Sequence, residues 1–201
     1  IFRGANSYSG IEPLYDERVL REPGIVNTYY LSVYKDLSAI YGKRFEFNEF
    51  MERLRNRTSV NAEYLVESSF AGPYDIVISN SCLEHIFEFN DSIAALYKRS
   101  APDGRFLHLV DFASHQPAKN PFDGLYSVDR ETFWARHGRK INLHRLPEIM
   151  EGFEKAGFRA GFVPYAHYGD TYKGPVHEYW RNRYPDDDIL FMKTAIIHSR
   201  D

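Results

Sequence analysis

The chain has 201 residues, a length that suits one domain, so we predict a single domain over residues 1–201. Its composition, 43% hydrophobic and 26% charged, is that of a globular protein, and a net charge of −3 argues against a nucleic-acid-binding surface. The one cysteine, Cys82, excludes an internal disulfide and favours a reducing compartment such as the cytoplasm, and no apolar run approaches the length of a membrane span.

The N-terminal part of the chain predicts two strands and a helix. Residues 7–11 form a short strand that ends at Glu12, directly before Pro13. The stretch "FNEFMERLRN", residues 47–56, predicts a helix capped by Asn48. A second strand follows over residues 59–66.

The middle of the chain predicts a βαβ unit. The strand "YDIVIS", residues 74–79, is apolar on both faces, as in a strand covered by helices on both sides. A helix capped by Asn90 or Asp91 follows, then a turn at "APDG", residues 101–104, and a second strand over residues 105–112. Such a strand–helix–strand sequence predicts parallel pairing.

The C-terminal part completes an α/β pattern. "LPEIMEGFEKAGF" predicts a helix with Pro147 in its first turn and Gly157 at its end. Strands over residues 158–165 and 188–198 follow and can pair as an antiparallel edge. We therefore predict a doubly wound, mostly parallel sheet with an antiparallel C-terminal edge. Residues 113–145, with a helix near 129–137, lie past the end of a strand and are predicted to cover a substrate.

Three polar segments follow predicted strands. Glu12 is placed to accept hydrogen bonds from ribose hydroxyls, although a solvated acid at a strand end is an equally simple interpretation. Asn80 and Ser81 open the run "NSCLEHI", which capping explains only in part. In "VESSFAGPYD" the side chains that could hold an adenine are Glu67, Ser68 and Ser69, and a plain polar loop is the alternative.

These segments together resemble class I S-adenosylmethionine-dependent methyltransferases. "YSGIEP", "YDIVISNSCLEHI", "SIAALYKRSAPDGRFLHLVDF" and "GFEKAGF" occur in the order of that family's motifs. Asp103 replaces the first glycine of the family's usual Gly-Gly pair, which a turn tolerates. The family's first strand and glycine-rich loop would precede "IFRGA", which resembles the end of the helix after that loop, so we expect the natural protein to be longer.

The resemblance implies a Rossmann-like fold, S-adenosylmethionine as cofactor and a small-molecule methyl acceptor. It places Glu12 at the ribose and Asn80 and Ser81 near the methionine portion. It places the segment 67–69 at the adenine and His85 beside the active cleft. The cofactor's methyl group would pass in line to an oxygen, nitrogen or carbon nucleophile.

An oxygen acceptor would also need a base. Candidates are His85, Asp111 and His115, the last two being four residues apart after a strand; a loop cap and a strand-end acid are the alternative interpretation. His144 is a further candidate. Candidate substrate contacts are Asn142, Arg145 and Trp134. The alternative interpretations are a salt bridge at a helix start and packing in the core.

Other functions have less support. Neither His-Glu-x-x-His nor a cysteine pair occurs, so the sequence predicts no metal site. A non-catalytic methyltransferase-like binding or assembly module is the main alternative, and a nicotinamide-dependent reductase would need a Tyr-x-x-x-Lys pair that "YKRS" does not supply. The oligomeric state is not predicted.

Overall fold

The computed structural model describes residues 2–12, 15–61 and 72–200. Contacts divide the chain into two compact units, residues 1–70 and 71–201. The prediction of one domain over residues 1–201 stays a prediction. No helix within the described ranges is long and apolar enough to cross a membrane.

The first unit contains a two-stranded parallel sheet and a helical layer. Strand β1 (Tyr8–Ile11) pairs with β2 (Thr58–Asn61). The helices are α1 (Pro23–Ile25), a π-helical turn (Val26–Tyr30), α2 (Leu31–Tyr41) and α3 (Phe47–Arg57), after a 3-10 turn (Glu17–Leu20). Their apolar sides form a small core of Phe2, Val26, Tyr34, Phe50 and Met51. The unit is thus organised around one aromatic cluster.

Most predictions for this unit are confirmed, with corrections at the ends of elements. Strand β1 and helix α3 lie where the sequence places them, but the residue before α3 is Glu46, and Asn48 lies inside the helix rather than capping it. Residues 2 and 3 form a turn and residue 4 a bend, and the resemblance of "IFRGA" to the end of a helix stays a prediction. Of the predicted second strand, residues 62–66 lie outside the described residues.

The second unit contains a four-stranded mixed sheet in the order β3-β4-β6-β5. Its strands are β3 (Tyr74–Asn80), β4 (Ser100–Asp111), β5 (Ala160–His167) and β6 (Met192–Ser199). Its helices are α4 (Phe89–Arg99), α5 (Arg130–His137), α6 (Leu146–Ala156), α7 (Glu178–Arg183) and α8 (Asp187–Leu190). Strands β3 and β4 are parallel around α4, which confirms the βαβ unit. Strand β6 is antiparallel to β4 and β5, which confirms the antiparallel C-terminal edge.

One face of this sheet packs on helices α4 and α6. The core between them includes Ile93, Val110, Ile149, Phe153 and Ile197, each with an exposed fraction of 0%. Helix α6 ends as predicted, because Gly157 adopts φ +101°, a left-handed conformation that costs glycine little. Packing of two amphipathic helices thus fixes the sheet from one side.

Four local predictions for this unit are wrong. Within the described part of the second unit, one face of strand β3 is uncovered, since Ile76 and Ile78 are 72% and 63% exposed. Residues 101–104 are part of β4 instead of a turn, and the extra residues are absorbed by a register shift beside Tyr74. Helix α4 begins after Glu88 without a side-chain cap. The last strand begins later than predicted, because Asp186 caps the short helix α8.

A second hydrophobic core lies beside the sheet and includes side chains of the segment 113–145. Side chains of this segment pack against residues 172–191, and together they bury Phe122, Leu125, Tyr126, Phe133, Ile141, Leu143, Tyr172, Trp180, Tyr184, Leu190 and Phe191. Helix α5 lies in this core and is capped by Asp129, close to the predicted position. The segment that was predicted to cover a substrate therefore has a well-packed hydrophobic base.

Candidate active site

The carboxyl end of β3 presents Asn80 and Ser81 as predicted. Asn80 is the last residue of the strand, and both side chains are exposed. Ser81 has φ +48°, and its amide donates to the Leu109 carbonyl at 2.9 Å. A non-glycine residue in the left-handed region is uncommon and marks an over-determined turn. The chain thus leaves the sheet abruptly, with two exposed polar side chains at its edge.

The next residues form a single 3-10 turn, Leu83–His85, which Asn142 holds in place. The Asn142 amide nitrogen Nδ2 donates to the carbonyls of Leu83 and Ile86, both at 2.8 Å, and its backbone amide donates to the Glu84 carbonyl at 2.7 Å. Asn142 is 3% exposed. All these bonds go to backbone, so the geometry gives Asn142 a positioning function; its predicted contact with substrate stays a prediction.

His85 and His115 come together at this edge. Their ring centroids are 5.1 Å apart, although thirty residues separate them in the sequence. His115 has φ +55°, and both side chains are exposed. His85 Nδ1 lies 2.9 Å from the Lys140 carbonyl, so Nδ1 is the donor in the neutral ring and Nε2 is left as an acceptor. The site therefore contains one imidazole with a fixed orientation beside a second.

Asp111 ends β4, but it does not hydrogen-bond to His115 in the structure. Its Oδ1 accepts from the Ala113 amide at 2.9 Å, and its Oδ2 pairs with Lys193 Nζ at 3.1 Å. Desolvation lowers the pKa of His115, and the Asp111 carboxylate opposes that shift from a distance. The Lys193 partner, on β6, was not foreseen from the sequence. Asp111 is thus held in an ion pair with Lys193, and its catalytic role stays a prediction.

Glu84 is the functional candidate that sequence analysis missed. It is 4% exposed, and neither carboxylate oxygen has a hydrogen-bond partner among the described residues. Burial raises its pKa to about 7, and the negative charge of Asp111 adds to this rise. The nearby backbone amides of Glu84 and Asp111 and the His85 ring act in the opposite direction. The signal was present in the Leu-Glu-His-Ile run, which capping did not explain.

Glu84, His85 and His115 form one cluster. A carboxylate oxygen of Glu84 and a ring nitrogen from each histidine all lie within 4.8 Å of one another. The cluster combines a buried acid with two exposed imidazoles at the carboxyl ends of β3 and β4. This edge of an open α/β sheet is where ligands bind. The arrangement can therefore accept a proton, orient a polar substrate or hold a cation.

Arg145 and Trp134 lie in the second core. Arg145 is 1% exposed, its Nη1 donates to the Phe112 carbonyl at 2.6 Å, and its guanidinium lies 5.4 Å from the rings of both Tyr126 and Trp180. The half-buried Trp134 donates from Nε1 to the Ile141 carbonyl at 2.8 Å. Both side chains thus stabilise the cover segment, and their predicted substrate contacts stay predictions.

Helix α6 and the cover segment are joined by Glu148, which sequence analysis also missed. Its carboxylate pairs with Arg130 at 3.0 Å and accepts from the Tyr184 hydroxyl at 2.6 Å. Burial disfavours the charged form of Glu148, but His144, 3.5 Å away, together with Arg130 outweighs burial and holds the pKa well below its usual range. His144 is therefore part of this structural network.

The remaining predicted cofactor residues belong to the first unit. Glu12 directly follows β1 and is exposed, and its carbonyl accepts from the Tyr15 amide at 2.9 Å. Glu67, Ser68 and Ser69 lie outside the described residues. The acid is thus at a strand end, as predicted, and its ribose contact stays a prediction.

Comparison with protein families gives one match, to a model described as a methyltransferase domain, over residues 5–160. That range contains the four motifs, Glu12 and the residues of the candidate site up to α6. A search of curated proteins found no match.

Comparison with solved structures gives a consistent fold. A proposed S-adenosylmethionine-dependent methyltransferase from Listeria monocytogenes aligns over 98% of this chain and 82% of its own, with 14% identity and a TM-score of 0.50. A Haemonchus contortus phosphoethanolamine N-methyltransferase 2, bound to phosphomonomethylethanolamine and S-adenosylhomocysteine, has 15% identity and a TM-score of 0.46. An O-methyltransferase family protein from Burkholderia thailandensis has 16% identity and a TM-score of 0.46.

The coverage differs between these structures. The last two align over 98% and 100% of this chain but only 49% and 52% of their own, so this chain spans about half their length. At these identities the similarity concerns the fold, and it rests on the Listeria protein, which has the highest TM-score of the three. The predicted α/β, Rossmann-like fold class is confirmed.

Proposed function

The chain belongs to the methyltransferase domain family, and from this premise we propose that the protein transfers a methyl group from S-adenosylmethionine to a small molecule. Membership confirms the resemblance to class I methyltransferases that the four motifs indicate. The observation that carries the proposal is the cluster of Glu84, His85 and His115 at the carboxyl ends of β3 and β4, within the matched residues.

Polar side chains in each unit, taken by itself, support the proposed cofactor. Glu12 is an exposed carboxylate directly after a parallel strand, which suits two adjacent ribose hydroxyls. Asn80 and Ser81 expose polar side chains at the end of β3, where they would contact the methionine portion. The segment 67–69 would flank the adenine. Bound there, the cofactor supplies an electrophilic methyl group on a sulfonium.

The histidine pair supports proton removal from the acceptor. In the proposed reaction the acceptor's oxygen or nitrogen bonds to the methyl carbon as the carbon–sulfur bond breaks, and S-adenosylhomocysteine leaves. The acceptor proton passes to His85 Nε2, which the Lys140 carbonyl leaves as an acceptor, or to His115. Desolvation lowers the pKa of His115, which favours its neutral, basic form. Positioning of the two reactants supplies much of the remaining acceleration.

A small-molecule acceptor is favoured by the cover segment and by charge. Residues 113–145 carry their own hydrophobic core beside the strand ends, which is the architecture of a built-in cover. The net charge of −3 does not favour a nucleic-acid acceptor. A reducing location such as the cytoplasm, suggested by the one cysteine, is part of the same proposal.

Calorimetry with S-adenosylmethionine on the natural full-length protein tests the proposal. We expect saturable binding that Glu12→Ala weakens about 10- to 100-fold, because charge-assisted hydrogen bonds to ribose are lost. Glu46→Ala is the matched control, since Glu46 is an exposed acid of the same unit that pairs with Lys43 at the surface. It should bind the cofactor like the wild type.

Two outcomes would count against parts of the proposal. If the full-length protein does not bind the cofactor, methyl transfer is excluded and a binding or assembly module takes its place. If Glu12→Ala binds as well as Glu46→Ala, the cofactor position is wrong although the activity can stand. Turnover is then measured as S-adenosylhomocysteine release with a panel of hydroxylated and aminated small molecules.

A further inference from the structure

The buried Glu84 carboxylate lacks a counter-charge. Its two oxygens have no hydrogen-bond partner in the part of the chain that the structure describes, and the side chain is 4% exposed. The Lys193 ammonium, which lies at the end of β4, is already paired with Asp111. A buried acid without partners is costly, and proteins retain such groups where a ligand completes them. The surroundings of Glu84 therefore point to a missing positive charge.

We propose that Glu84, His85 and His115 bind a divalent transition-metal ion of the zinc type. One carboxylate and two imidazoles form a ligand set that suits Zn²⁺ and leaves a coordination position open for a substrate or water. One ligand atom from each residue lies within 4.8 Å of the other two. Both rings are exposed, and the turn Leu83–His85 holds Glu84 and His85 next to each other.

The orientation of His85 is that of a metal ligand. Metal-bound histidines usually donate their second ring N–H to a backbone carbonyl or carboxylate, which sets the tautomer and aims the other nitrogen at the ion. His85 Nδ1 is 2.9 Å from the Lys140 carbonyl, so Nε2 is the nitrogen with a free lone pair.

The backbone around Glu84, His85 and His115 is held by contacts that do not use the side chains of these three residues. Asn142 ties the Leu83–His85 turn through the carbonyls on both sides of Glu84. His115 has φ +55°, a conformation that is rare for a residue with a Cβ and that turns its side chain toward His85. Strained backbone of this kind persists where surrounding contacts enforce it, as at ligand sites.

The ion would act on the acceptor, and this consequence rests on the proposed function. A hydroxyl bound at the open position would lose its proton to solvent water more readily, because a divalent ion stabilises the oxyanion. In the metal-bound form His85 and His115 hold the ion instead of accepting the proton. The two roles exclude each other, so metal binding decides which chemistry the cluster performs.

Calorimetric titration of the metal-stripped full-length protein with zinc chloride tests the site, without S-adenosylmethionine. We expect one ion per chain, bound more tightly than Mg²⁺. Glu84→Gln, which keeps the side-chain size, and His115→Ala, in an exposed loop, should each weaken Zn²⁺ binding at least tenfold. His167→Ala removes an exposed histidine outside the cluster and should leave the affinity unchanged. Thermal unfolding of each variant verifies that it is folded.

Cobalt substitution gives a second readout. Co²⁺ in a site with two imidazoles and one carboxylate should give intense visible absorption that His115→Ala abolishes and His167→Ala retains. Absence of a one-to-one zinc complex, or equal affinity in wild type and both cluster variants, overturns the proposal. Cofactor binding without zinc binding would refute the metal site and leave the methyltransferase; zinc binding without cofactor binding would do the reverse.

Discussion

Removal of the Asn142 side chain should destabilise the second unit because three backbone groups depend on it. Its Nδ2 donates to the carbonyls of Leu83 and Ile86, and its Oδ1 accepts from the His144 amide at 2.9 Å. A buried polar group left without a partner costs about 1–3 kcal/mol. The Leu83 carbonyl also accepts from the Ile86 amide at 3.3 Å, so its loss is partial. For Asn142→Ala we expect a loss of about 2–4 kcal/mol in the free energy of unfolding.

Urea unfolding at pH 7, followed by circular dichroism, measures this loss. Asn142→Asp is the matched variant, since it keeps the oxygen that accepts from His144 but replaces the donor with a carboxylate oxygen facing two carbonyls. If the donated bonds carry the stability, the aspartate variant is at least as unstable as the alanine variant. A loss of under about 0.5 kcal/mol in Asn142→Ala, or an aspartate variant milder than alanine, would refute the reasoning.

Three further predictions concern residues of the same unit. Burial lowers the pKa of His108 from 6.5 to about 4, so the folded state binds fewer protons and stability should fall by up to about 3 kcal/mol as pH drops from 6.5 to 4. For His108→Gln, the free energy of unfolding measured in urea at pH 7 and at pH 5 should lack this dependence on pH. Glu148→Gln should lower the free energy of unfolding by about 3 kcal/mol, because it leaves Arg130 without its ion pair. Because the pKa of Glu148 is depressed in the folded state, the wild type should lose this stability below about pH 4.5, whereas the variant should not. Gly152→Ala should lower the melting temperature by a few degrees, since an added Cβ lies 2.5 Å from the Phe89 ring and overpacking costs about 1–3 kcal/mol.

The sequence predicts elements well where local signals and packing agree. Helix α6 carries a proline at its start, an apolar stripe and Gly157 at its end, and its bounds match the prediction. Residues 101–104 carry equally clear turn residues, yet they lie in β4. There the parallel pairing with β3 takes up the extra residues as an irregularity, and that long-range pairing is not visible in the local sequence.

The same distinction applies to the candidate site, where some positions follow from local signals and others from long-range contacts. The positions of Asn80, Ser81 and His85 at or just after the end of β3 could be predicted, because strand ends can be read from hydrophobic runs. The partner of Asp111 is Lys193, 82 residues away, because β6 runs antiparallel beside β4 with Thr194 opposite Asp111. The approach of His115 to His85 depends on one left-handed residue in a long connection. Spacing along the chain cannot supply contacts of this kind.

The residues of the candidate site adjoin two different hydrophobic cores of the second unit. Glu84 and His85 follow β3 and stand on the core beneath the sheet, whereas His115 begins the segment that packs in the second core. Arg145 joins the two, since its guanidinium reaches the Phe112 carbonyl at the end of the sheet while it lies among rings of the second core. Substitutions in residues 113–145 are therefore expected to change the proposed acceptor side without disturbing the strand ends, provided that Asn142, Arg145 and the position of His115 are kept.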